Sequence, residues 1–178
     1  MGNAIDRFSF RFRFYIYRGI RLLLADFQGV PATILLCCAI DLLAKYRSGM
    51  PDGNMNKKKY TSFLRSYFPP QYNSDEFYAL IRCGLVHGFN MENHYAILCR
   101  NEPWAKNMHL KEDTKSGTTI INPFVLFDDV DTAFKKFITD VRRDMSLQKL
   151  FFRVHRVLPL TQQQISWRKV KPKKNLKT

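Results

Sequence analysis

From Pro31 to about Tyr46 the chain is apolar almost without interruption, and one carboxylate, Asp41, stands inside the stretch. A helix that is apolar nearly all round has to be enclosed, either by other elements of the protein or by lipid. The longest uncharged run, Phe27 to Ile40, is 14 residues, short of the roughly 18–20 that a membrane span needs. The expectation is therefore a core helix and no membrane. At 178 residues, 46% apolar and 25% charged, the chain is expected to form one globular domain that needs no disulfide or metal staple. Fifteen phenylalanines supply a bulky core, and the composition excludes disorder, collagen and a disulfide scaffold.

The flanking segments read mainly as helices. In residues 4–26, Phe8, Phe10, Phe12 and Phe14 alternate with polar residues as in a strand. Ile5, Phe8, Phe12, Ile16, Leu23 and Leu24 also fit a helical stripe, with Arg7, Arg11, Arg18 and Arg21 on the other side. No turn signal interrupts the segment, which favours the helix. A second helix is predicted over 31–47, with Pro31 in its first turn and Ser48-Gly49 at its end. A third covers 59–67 and stops at Pro69-Pro70. A fourth covers 74–87, with Ser74 as N-cap and Gly88 as stop. A last helix starts at Asp128 or Asp129 and runs to about residue 156, continuous or restarting. His94–Cys99 and Thr118–Ile121 read as a β-hairpin within an insert, 90–122, outside the bundle. The expected class is all-α: about five helices forming one domain over 1–158, a small β-hairpin insert and a basic tail over 159–178.

Charge is unevenly spread. The chain carries 29 Lys and Arg against 15 Asp and Glu. The 37 residues from Arg142 onward hold eleven of those bases and a single acid, Asp144. Attraction to phosphate is expected mainly from the tail, through Lys169, Lys171, Lys173, Lys174 and Lys177. The four cysteines, Cys37, Cys38, Cys83 and Cys99, lack disulfide or zinc spacing and read as free buried thiols of a reducing compartment. With no secretory signal in view, the expected location is cytoplasmic.

Motifs for nucleotide binding, zinc hydrolysis, dithiol chemistry and serine hydrolysis are absent. Nothing implies a cofactor or a metal. His94, His109 and His155 have no ligand partners at metal spacing. One stretch stands out, Tyr78-Ala-Leu-Ile-Arg82-Cys-Gly-Leu-Val-His87-Gly88. Five residues turn a straight α-helix by about 500°, leaving Arg82 and His87 roughly 140° apart. They converge if the helix loosens near Gly84, or if two copies meet across an interface. The alternative is that Arg82 makes an ion pair while His87 caps the helix C-terminus. Asp41, in an apolar helix, needs a partner, and Arg82 or His87 would serve.

The Arg82-x4-His87 unit resembles the R-x4-6-H motif of HEPN domains. Together with the Ala39-Ile-Asp41-Leu-Leu-Ala helix before it and Ile121-Asn122 ahead of a final helix, it is similar to an uncharacterised HEPN-like group over about residues 4–145. Cys83 follows the arginine where HEPN nucleases often carry Asn, Asp or His. The resemblance implies a helical bundle that dimerises so that two such motifs line one cleft. Many of these domains are metal-independent endoribonucleases, often toxins or defence proteins with a cognate antitoxin or regulator; others only bind RNA or nucleotides. The catalytic set it implies is Arg82, His87 and Asp41. The rival reading is a non-catalytic module in which those three residues form a structural network. A third is a nucleic-acid or anionic-surface binder acting mainly through the tail.

Overall fold

A computed structural model describes residues 2–158, apart from 54, 89–90 and 92–93. Among them are seven helices and one small sheet. Helix α1 covers 2–25, α2 is Gly29–Ser48, α3 is Asn56–Tyr67 and α4 covers 74–88. The short α5, Pro103–Lys106, precedes the two last helices, α6 (Pro123–Arg143) and α7 (Met145–Val157). The class is mainly α.

Helix α2 is the central element, packed against α1, α3, α4, α6 and α7. That is the enclosure its composition demands: Leu36, Cys37, Ala39, Ile40 and Leu43 point in several directions and are all buried. Over its 20 residues α2 is long and apolar enough to cross a membrane by length and composition, which the shorter uncharged run understates. More than half of it is covered by the rest of the protein. Gly49, at φ +70°, closes α2 in the left-handed conformation that favours glycine.

Helix α1 resolves the helix-or-strand ambiguity through an unusual backbone. It is α-helical over Gly2–Arg11, π-helical over Phe12–Tyr17 and α-helical again over Arg18–Ala25. The π segment adds one residue to the turn. The buried stripe therefore runs Ile5, Phe8, Phe12 and then Tyr17, Ile20 and Leu24. Ile16 and Leu23, expected in the core, are only partly buried. Phe12 stacks on Phe134 of α6 at 4.6 Å, and Phe8 lies 4.4 Å from Tyr46 of α2. This aromatic layer joins α1, α2, α6 and α7.

Four other expectations are corrected. The last helix begins at Pro123, because Asn122 caps it by accepting from the Phe124 and Val125 amides. It breaks at Asp144, which caps α7 by accepting from the Ser146 and Leu147 amides. Asn73, not Ser74, caps α4, and the Ser74 hydroxyl instead accepts from Arg65. The strands β1 (Tyr95–Ile97) and β3 (Thr118–Ile121) pair in parallel, so they form no hairpin. The antiparallel pair is β2 (Glu112–Asp113) with β3. Nor does the insert stand clear of the bundle: Tyr95 and Ile121 belong to the hydrophobic core. Gly29 marks the closest approach, since a Cβ there would sit 2.7 Å from that of Cys99.

Candidate functional site

Helix α4 starts as α over Ser74–Glu76 and continues as π-helix over Phe77–Gly88. In a π-helix the repeat is i to i+5, so residue 87 stands one turn above residue 82. That geometry brings together two side chains that a regular α-helix would hold apart. Arg82 Nη1 lies 2.9 Å from His87 Nε2. Arginine is only a donor, so Nε2 accepts and the neutral His87 ring carries its proton on Nδ1. His87 is exposed at the end of the helix.

Asp41 holds the other side of the guanidinium. Its Oδ2 accepts from Arg82 Nε at 2.8 Å and from Nη2 at 2.7 Å. The two side chains retain only 12% and 17% of their exposure, so the pair is largely withdrawn from water while Nη1 faces outward to His87. Burial works against the charge on Arg82, but the Asp41 hydrogen bonds and carboxylate outweigh it and hold the guanidinium above its ordinary range. Tyr78 packs its ring 5.5 Å from the guanidinium carbon, and the Cys83 sulfur lies 3.8 Å from Nη1.

Two thiols on α2 near the site, Cys37 and Cys38, are poor nucleophiles. Burial pushes Cys37 up to about 12, and burial also raises Cys38. Only Cys37 is fully buried; Cys38 is exposed and Cys83 and Cys99 are half-buried, all free. The expectation of four buried thiols holds for one. What remains is a fixed cation, an accessible imidazole in contact with it and a carboxylate that locks the cation in place. Such a set can bind an oxyanion and exchange a proton near neutral pH.

A second polar cluster escapes sequence reasoning. Asn122 N–H donates to His109 Nδ1 at 3.0 Å, so the proton sits on Nε2, which donates to the Tyr72 hydroxyl at 2.8 Å. Tyr72 in turn donates to Asp129 Oδ2 at 2.6 Å. Burial pushes His109 down to about 4 and raises Asp129. The chain ties the insert to α6, within an element whose start was misplaced. The start at Pro123, rather than at Asp128 or Asp129, puts Asp129 inside the helix and facing Tyr72. His94 is exposed, and His155 Nδ1 lies 3.4 Å from the Tyr46 hydroxyl. Among the described residues no group of three or more His, Cys, Asp or Glu could hold a metal ion. Lys169, Lys171, Lys173, Lys174 and Lys177, and the tail as a whole, lie outside the described residues.

No protein-family model, curated protein or solved structure matches this chain.

Proposed function

We propose that the protein is an RNA-directed, HEPN-like homodimer that cleaves RNA without a metal. The observation that carries this reading is the contact of Arg82 with His87 across one π-helical turn, with Asp41 fixing the guanidinium from behind. A phosphodiester that takes Nη1 of Arg82 releases the Nε2 lone pair of His87 beside it. That nitrogen then removes the proton of the ribose 2′-hydroxyl, whose oxygen attacks the adjacent phosphorus. The P–O bond to the 5′-oxygen breaks, and this oxygen leaves with a proton from the imidazolium of the second copy. The products are a 2′,3′-cyclic phosphate and a free 5′-hydroxyl. Arg82 neutralises charge on the non-bridging oxygens as it develops.

The test is cleavage of RNA in EDTA at saturating substrate. His87→Ala is expected to lower the rate by about 10²–10⁴-fold, as for loss of a general acid–base group, while RNA affinity changes little. Full activity in both His87→Ala and Arg82→Ala would overturn the assignment.

The second reading, a non-catalytic RNA- or nucleotide-binding module, is favoured by the burial of the Arg82–Asp41 pair. An ion pair at that depth serves packing whether or not the neighbouring histidine reacts. An intact protein that binds RNA and cleaves none would select it, and Cys83 is the first substitution to revert toward the family pattern.

A further inference from the structure

The outer face of α1 carries large apolar side chains exposed among arginines. Phe10, Phe14 and Leu22 are 66%, 44% and 64% exposed on a helix whose other face fills the core. Phe10 and Phe14 stack at 5.7 Å with only 14° between their planes. Arg18 lies over the Phe14 ring at 5.7 Å, and Arg13 and Arg21 flank the ridge, bounding a shallow groove of about 400 Å³. Residues 7–25 contain five arginines and no carboxylate.

We infer that this ridge binds single-stranded nucleic acid, with bases stacking on Phe10 and Phe14 and phosphates pairing with Arg13, Arg18 and Arg21. Charge decides the class of occupant. A second copy docked by a two-fold axis would set this patch against itself, arginine against arginine with no acid in the segment to answer. An anionic membrane would meet the same cations, but an interfacial helix separates its apolar and charged faces. Here Phe10, Phe14, Arg18 and Leu22, which line one groove, interleave them, and the helix's continuous apolar face is already buried. Flat rings alternating with cations match a strand whose bases and phosphates alternate.

The inference shares RNA as ligand with the proposed function but stands on different residues. Its test uses the full chain and a fluorescent 2′-O-methyl oligouridine, which lacks the 2′-hydroxyl that cleavage requires. Phe10→Ala/Phe14→Ala is expected to weaken binding about tenfold or more with the salt dependence unchanged. Arg18→Gln/Arg21→Gln is expected to weaken binding and reduce the slope of log K against log salt by roughly one to two. Both changes are at exposed positions, and an unchanged melting curve confirms each fold. Oligomer binding that is absent in the intact protein, or undiminished in both variants, overturns the inference. So does loss in the Phe variant of phosphatidylserine-vesicle binding or of self-association, with oligomer binding intact. Phe-dependent oligomer binding by a protein that cleaves no RNA keeps this inference and removes the nuclease reading. Cleavage by a protein whose oligomer binding ignores the ridge does the reverse.

Discussion

Asp41 and His87 touch the same guanidinium from opposite sides, and their substitutions should part company. Asp41→Ala leaves Arg82 largely buried without its carboxylate, a loss expected to cost about 3 kcal/mol. His87 is exposed, and its replacement by alanine should change stability by less than about 0.5 kcal/mol. Urea denaturation of the two variants checks the contrast. Equal stability losses would mean that the imidazole, too, is a packing group. The same reasoning separates Arg82→Lys from a conservative change: an ammonium keeps the charge but cannot span Nε, Nη1 and Nη2.

At the scale of the elements, caps set the boundaries that matter. The Asn122 side chain is fully buried, accepts from two amides of α6 and donates to the Arg100 carbonyl at 2.8 Å. Asn122→Ala removes a cap and strands a buried carbonyl, so a loss of about 2 kcal/mol is expected. That corresponds to a fall in melting temperature of roughly 4–8 °C. Asp144→Ala, at an exposed cap, should cost about half as much. The central helix and the existence of α1, α3 and α4 were legible, because apolar runs and Pro or Gly breaks report them directly. Two kinds of feature were not. The stripe of α1 reads correctly through Phe12 and then slips by one residue, because i, i+4 counting does not anticipate a π turn. Regular α-helical counting puts Arg82 and His87 on different faces of α4; their convergence needs the loosened helix that the sequence allows near Gly84 and that the π segment supplies, while pairing Asp41 with one of them follows from the cost of a buried charge. Strand direction in the insert was illegible for another reason: β1 and β3 are separated by α5 and β2, and short β-prone runs carry no sign of parallel pairing.

For the whole molecule, the joint between insert and bundle predicts a pH response. His109 stays neutral when folded, with its ionisation pushed down to about 4 by burial, against about 6.5 unfolded. The unfolded chain binds the extra proton first, so the stability from this group is present above about pH 6.5 and is lost as pH falls toward 4. The expected loss is on the order of 2–3 kcal/mol. His155, also lowered by burial, adds to it; Asp129, raised by burial, opposes it at the acid end. Denaturation series between pH 7 and 4 should therefore slope less steeply in His109→Gln than in the native protein.

The basic tail makes a separate prediction. Removing the residues after Pro159 deletes Lys169, Lys171, Lys173, Lys174 and Lys177. RNA binding should weaken and its salt dependence flatten, with cleavage at saturation preserved because Arg82 and His87 lie in the bundle. The most direct test of the account compares matched RNA and 2′-O-methyl strands incubated in EDTA with the intact protein and with His87→Ala. Ends carrying 2′,3′-cyclic phosphate are expected from RNA with the intact protein, and from neither the methylated strand nor the variant. Cleavage of the methylated strand, or undiminished RNA cleavage by His87→Ala, would contradict it.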